Sequence, residues 1–136
     1  MAGPKDYIIA TRPWSLSMTF ISITVGTLLA WQDGPVGWGW YGLTLIGMIL
    51  FHSGVNVLND YFDTRYQVDQ PDSPTARYRP HPIFSGLLTP KQLLLEGVFL
   101  FAATIIIGLA LAWFRSPKLF WVGLGGFLAG VFYTAG

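Results

Sequence analysis

The sequence predicts an all-α fold, a polytopic bundle of membrane helices, and three observations predict it. Only 11% of the 136 residues are charged while 52% are hydrophobic, against about 25% charged in typical soluble domains. Four runs contain no Asp, Glu, Lys or Arg: Pro13–Gln32, Gly34–Asn59, Gly97–Phe114 and Leu119–Gly136. Each is long enough to cross hydrocarbon about 30 Å thick, for which roughly 20 apolar helical residues are needed and about 17 are tolerated. Trp14, Trp31, Trp38, Trp40, Trp113 and Trp121 all fall near the ends of these runs, where amphipathic rings sit at headgroup level. A soluble helical domain of this size is mostly surface and needs polar faces that the runs lack.

The same composition excludes other classes. A net charge of +1 builds no basic surface of the kind that tracks a nucleic-acid backbone, so no nucleic-acid partner is expected. The absence of cysteine removes disulfide frameworks, thiolate metal sites and thiol nucleophiles.

Taken in order, the first helix is expected over about residues 14–32. Lys5 and Arg12 precede it as they precede a secretory signal, but the apolar run from Trp14 to Trp31 is too long for a signal core and has no small-residue cleavage pattern, so it reads as a retained helix. Ser15, Ser17, Thr19, Ser22, Thr24, Gly26 and Thr27 give it the small side chains that let helices approach closely in lipid. The second helix is expected over about 38–63 and is followed by a loop over about 64–90, whose Pro71, Pro74, Pro80, Pro82 and Pro90 forbid continuous helix. A loop this long inside a compact bundle is commonly functional, often as a lid over a binding site, with a plain connector as the alternative. Thr89-Pro90 opens the third helix, about 91–114, with Thr89 as N-cap and Pro90 at the first helical position. The fourth is expected over about 118–136. Lys5 and Arg12 in the N-terminal arm, and Arg65, Arg77, Arg79 and Lys91 in or near the long loop, place both segments on the cytoplasmic side of the cell membrane. The connection Arg115–Lys118 then lies outside despite its two cations.

Chemistry concentrates at the end of the second helix. His52, Asn56, Asn59, Asp60 and Asp63 recur at spacings of three and four, so a continuous helix presents them on one face. Carboxylates near membrane depth are costly unless they meet cations, water or a bundle interior. Asp60 and Asp63, on adjacent turns, repel each other unless a cation lies between them. Hard oxygen ligands of this type suit magnesium, which keeps several waters and leaves positions for phosphate oxygens. Asp60 and Asp63 are thus the candidate metal-binding and catalytic pair. Asn56, Arg65, Arg77 and Arg79 are the candidate phosphate contacts. The bland alternative is a helix end whose exposed charges pair with loop arginines. His52 reads as a packed or hydrogen-bonded histidine, and His81, between two prolines, as an ordinary loop residue.

Asn59-Asp60-Tyr61-Phe62-Asp63 followed by Val68-Asp69 resembles the first aspartate-rich motif, NDxxDxxxD, of the UbiA superfamily of intramembrane prenyltransferases. It is most similar to the form NDYxDxxxGxD of the branch that prenylates 1,4-dihydroxy-2-naphthoate on the way to menaquinone. Thr11-Arg12-Pro13-Trp14, the stretch from Pro82 to Gln92, and Tyr133-Thr134 extend the resemblance over nearly the whole chain. The resemblance implies a bundle of about nine membrane helices, of which four are present. It also implies magnesium held by Asn59, Asp60, Asp63 and Asp69, a prenyl diphosphate donor and a small aromatic acceptor. The motif's last Asp falls on Gln67, and Asp69 matches the menaquinone form, whose Gly is also replaced by Gln67. The family's second acidic motif is not found, since Glu96 is the only carboxylate side chain after Asp72. The chain is therefore expected to be an N-terminal piece of an enzyme, inactive by itself, with a C-terminal half as partner. Two readings of other classes compete: an ion-coupled transporter with a cation among Asn56, Asn59, Asp60 and Asp63, and a non-catalytic membrane subunit. Arginines at the acidic cluster discriminate against the transporter, and magnesium-dependent binding of prenyl diphosphates discriminates against the subunit.

Overall fold

The computed structural model describes residues 2–135, with side chains through residue 134; Gly136, the expected end of the fourth span, lies outside the described residues. The fold is helical, with no strand among the described residues: α1 (Pro4–Ala10), a 3-10 turn (Pro13–Ser15), α2 (Leu16–Asp33), α3 (Trp38–Arg65), α4 (Pro74–Tyr78), α5 (Pro90–Phe114) and α6 (Lys118–Ala135). The expected helices are all present, with boundaries shifted by at most two residues. Helix α2, α3 and α5 are long and apolar enough to cross a membrane, while α6 is a shorter apolar helix over Lys118–Thr134.

Helix α1 was not among the expected elements. Its seven residues carry little periodic signal, and what starts it is local: the Asp6 carboxylate reaches back to accept the Gly3 N–H at 2.7 Å. Helix α5 starts as its sequence dictates. The Thr89 hydroxyl accepts the Gln92 N–H at 3.3 Å and the Gln92 side chain accepts the Thr89 N–H at 2.9 Å, with Pro90 in the first turn.

Helix α3 is the hub, packed most extensively on α5 and also on α2 and α6. Small residues set the α3–α5 approach. A Cβ on Gly97 falls 2.5 Å from Leu58 Cδ2, and one on Gly54 falls 2.5 Å from the Phe101 ring, so glycine is what lets these backbones close. The buried core gathers at one end of this pair: Val57 of α3, Leu93 and Leu100 of α5, Ala10 of α1 and Leu88 of the long loop. Elsewhere the bundle leaves Phe99, Ile106 and Trp113 exposed on α5 and Met18 and Ile21 on α2, the outward apolar faces that a lipid-facing helix shows.

At 28 residues and 1.5 Å per residue, α3 is about 42 Å long. It exceeds the hydrocarbon thickness of about 30 Å, so a helix entering at Trp38 leaves lipid before its last two turns. Those turns carry Asn59, Asp60 and Asp63. The long loop folds back over them rather than running free in solvent.

Candidate functional site

Helix α3 ends by turning sharply. Gln67 adopts a left-handed conformation, φ 60°; its N–H donates to the Thr64 carbonyl at 3.3 Å, and the Val68 N–H donates to the Asp63 carbonyl at 2.9 Å. This is a Schellman closure with Gln67 at the position where glycine is usual. The turn reverses the chain, and the Asp69 N–H also meets the Asp63 carbonyl, at 3.1 Å. Asp69 is thereby buried against the helix end. Gln67 is thus held in a left-handed turn that favours glycine, and Asp69, two residues on, points back toward Asp60.

Asp60 is fully buried at 0% exposure, and two guanidinium groups meet it. Arg79, from the loop, donates through Nη1 to Oδ2 at 3.0 Å and through Nη2 to Oδ1; Arg12, from the segment between α1 and the 3-10 turn, donates through Nη2 to the same Oδ1 and to Asn59 Oδ1 at 3.1 Å. The arginine side chains are themselves largely covered, 20% and 11% exposed for Arg12 and Arg79. A buried carboxylate needs such partners, because desolvation otherwise outweighs any gain from folding it inside. Arg12 stands in the left-handed region, φ 55°, immediately before a proline, a conformation that costs a non-glycine residue about 1–2 kcal/mol. Its guanidinium anchorage on Asp60 and Asn59 holds it there.

The polar stripe on α3 fastens this N-terminal segment along its length. Asn56 donates to the Thr11 carbonyl at 2.9 Å and to Ser15 Oγ at 3.0 Å, while His52 bonds Thr19 Oγ1 through Nδ1 at 2.7 Å. The face expected from spacing is real, and its first half binds protein: His52 is the hydrogen-bonded histidine expected, and Asn56 has both amide hydrogens engaged.

The loop histidine departs from expectation. His81 is not an ordinary loop residue but is completely buried, its ring stacked on Phe84 with centroids 4.3 Å apart. Nδ1 accepts the N–H groups of Ile83 and Phe84 at 3.3 and 3.4 Å, and Nε2 lies 3.7 Å from Asp69 Oδ2. Burial foremost holds its pKa below the ordinary histidine value, with Arg79 and Arg12 adding to the effect against the pull of Asp60 and Asp69. Ligand atoms of Asp60, Asp69 and His81 lie within 4.8 Å of one another, all buried.

Of the other expected residues, Asn59 and Asp63 adjoin this group. Asn59 bridges it, taking Arg12 on Oδ1 and donating to Asp63 Oδ2 at 2.8 Å. Arg65 and Arg77 are exposed; Arg65 donates to the Tyr61 hydroxyl at 3.1 Å. Five residues beyond Asp60, Arg65 is rotated about 140° around the helix, so the structure does not bring it to the carboxylates. Arg12 was missed as a site residue. The signal available was a lone cation directly before an apolar span, obliged to find a counter-charge at the membrane edge.

Comparison with known proteins adds a family assignment. Residues 19–136 match the family model described as UbiA prenyltransferase family. The chain is 26% identical over 134 residues to UbiA prenyltransferase domain-containing protein 1 of Xenopus tropicalis, which covers 96% of the chain and 37% of that protein. It is 31% identical over 127 residues to protoheme IX farnesyltransferase of Salmonella typhimurium, covering 91% and 39%. It is 29% identical over 110 residues to 4-hydroxybenzoate octaprenyltransferase of Saccharophagus degradans, covering 81% and 34%. The chain thus spans a little over a third of the length of these curated relatives. No solved structure matches it.

Proposed function

Because the chain belongs to the UbiA prenyltransferase family and is an integral membrane protein by its long apolar helices, we propose that the end of α3 binds the diphosphate of a prenyl donor. The enzyme it serves would transfer the isoprenoid chain to a small aromatic acceptor. The observation that carries this reading is the fully buried Asp60, held by Arg12 and Arg79 from two separate segments and facing Asp69.

The donor set fits a hard divalent cation. Asp60 and Asp69 converge, with Asn59 and Asp63 oxygens next to them, which is the oxygen-rich coordination that suits magnesium. When bound, magnesium would supply positive charge against the departing diphosphate. The chain's own residues do the rest. Two guanidinia balance two of the three carboxylates that meet here, Asp60, Asp63 and Asp69, so an added divalent cation leaves a net positive pocket for an anion. Arg12 and Arg79 have N–H donors beyond those spent on Asp60, and Arg12 Nε is buried without a partner. Held in place before the reaction, these donors stabilise charge gathering on the leaving group without having to reorganise. Arg65 and Arg77, on the exposed rim, attract the anion at longer range. Asn56 serves as a strut for the Arg12 segment. An apolar groove of about 580 Å³ between α3, α5 and α6, lined by Phe51, Ile107 and Phe127 among others, offers the kind of surface an isoprenoid tail needs.

For the acceptor we propose 1,4-dihydroxy-2-naphthoate, supported by Asp69 standing at the spacing of the menaquinone form and folding back onto Asp60. We place the protein in the plasma membrane with the N-terminus and acidic loop in the cytoplasm, supported by the arginines that meet there. Two guanidinia at Asp60 disfavour the transporter reading, because fixed anion-binding donors serve a diphosphate and have no role in a path for a bare cation. The test is magnesium-dependent transfer from labelled farnesyl or geranylgeranyl diphosphate by the full-length protein, with dihydroxynaphthoate and 4-hydroxybenzoate offered in parallel. Transfer to the naphthoate, lost in Asp63→Ala with helicity intact, supports the assignment; unchanged transfer in that variant refutes the role of the acidic cluster.

A further inference from the structure

Among the described residues, His81 Nε2 is a buried side-chain atom with no hydrogen-bond partner, and it is aimed at the acidic pair. We infer that His81 is a positioning residue that holds Asp69 toward Asp60, through an Nε2–H whose place is fixed by the loop backbone. This rests on the reading of Asp60 and Asp69 as divalent-cation ligands.

The tautomer follows from donor and acceptor arithmetic. A neutral imidazole has one N–H and one lone pair. The amides of Ile83 and Phe84 both point at Nδ1, so the lone pair is there and the proton is on Nε2. That proton faces Asp69 Oδ2 across 3.7 Å, a gap that closes to a hydrogen bond with a shift of well under 1 Å. The same arrangement bars the ring from coordinating a cation through Nε2, since moving the proton to Nδ1 would set it against two amide hydrogens. Three features keep the ring from turning away. It is completely buried, it is stacked on Phe84, and its own carbonyl accepts the Ser85 N–H at 2.9 Å within the turn. Flanking Pro80 and Pro82 restrict the backbone on both sides. A carboxylate oriented by a fixed donor is a better ligand than one free to rotate, and loss of such an outer partner typically weakens metal binding about 10–100-fold.

The experiment is Mn2+ binding to the protein in lipid nanodiscs, followed by electron paramagnetic resonance. His81→Phe is expected to weaken Mn2+ binding at least about tenfold. His81→Gln, whose amide N–H can donate to Asp69, is expected to recover most of the loss. Spin-echo modulation from 14N in the wild-type complex is expected to show no directly coordinated imidazole. Unchanged affinity in His81→Phe, failure of His81→Gln to differ from it, or a directly bound nitrogen overturns the positioning role. Asp60→Asn and Asp69→Asn separate this from the parent reading. If neither weakens Mn2+ binding, the cation site falls and the His81 role with it; if both do while His81→Phe does not, only the His81 role falls. The nitrogen measurement needs no variant, so it decides even where a substitution impairs folding.

Discussion

Asp60 has no contact with solvent, so every polar partner of its carboxylate is protein-made, and its two guanidinium partners come from 48 residues upstream and 19 downstream. Removing one leaves a buried carboxylate short of partners, which costs about 1–3 kcal/mol in unsatisfied hydrogen bonding. Arg79→Ala is therefore expected to lower the thermal stability of the detergent-solubilised protein by that order, and Asp60→Asn with Arg79→Ala by less than the sum of the single variants. Strict additivity would show that the two side chains do not couple. At this scale the sequence was more informative about one partner than about the other. Asn59, Asp60 and Asp63 announce themselves by helical spacing, and Arg79 by its charge in the loop. Arg12 shows only as a cation before an apolar span, with nothing local to name its partner, and a histidine between prolines carries no sign of being buried.

The ends and close approaches of helices are set by few residues, and these are where single substitutions test the elements. Gln67 closes α3 in a left-handed conformation that favours glycine. Gln67→Gly is expected to raise stability by about 1 kcal/mol, read from the unfolding midpoint, while leaving divalent-cation affinity unchanged. A fall in stability would mean that the Gln67 side chain makes a compensating contact. Gly97→Ala acts in the opposite direction. Its Cβ would meet Leu58 Cγ at 2.6 Å as well as Cδ2, and overpacking of this kind costs about 1–3 kcal/mol. The boundaries of α3 and α5 were legible because charge-free runs, a proline-rich loop and a Thr-Pro cap mark them. Helix α1 was not legible, since seven residues give too short a window for periodicity, and its start depends on one carboxylate reaching back to the chain.

For the molecule as a whole, three apolar helices and a charged loop folded onto one end of α3 make a two-sided object. One side presents greasy faces and the other an acidic site ringed by arginines. The distribution of Lys and Arg predicts which compartment that site faces. With no native cysteine, single-cysteine probes are unambiguous: Tyr78→Cys, at a position 91% exposed in the loop, is expected to react with a membrane-impermeant thiol reagent only in inverted vesicles, and Ser116→Cys only in right-side-out ones. The reverse pattern would put the acidic site outside the cell. The bundle was legible in the distribution of charge along the chain because lipid imposes a length and a polarity on every span. The acceptor of the proposed transfer showed in the sequence only as the spacing of Asp69, because acceptor choice depends on the shape of a cavity that no local motif encodes.

The central claim is that a divalent cation at Asp60 and Asp69, with Arg12 and Arg79, grips a prenyl diphosphate. Equilibrium binding of labelled farnesyl diphosphate to the protein in nanodiscs, with Mg2+ and with chelator, tests it most directly. The account predicts saturable binding that requires Mg2+ and weakens at least about tenfold, or about 1.4 kcal/mol, in Asp60→Asn of unchanged helicity. Binding that is equal with chelator, or equal in the variant, would contradict it.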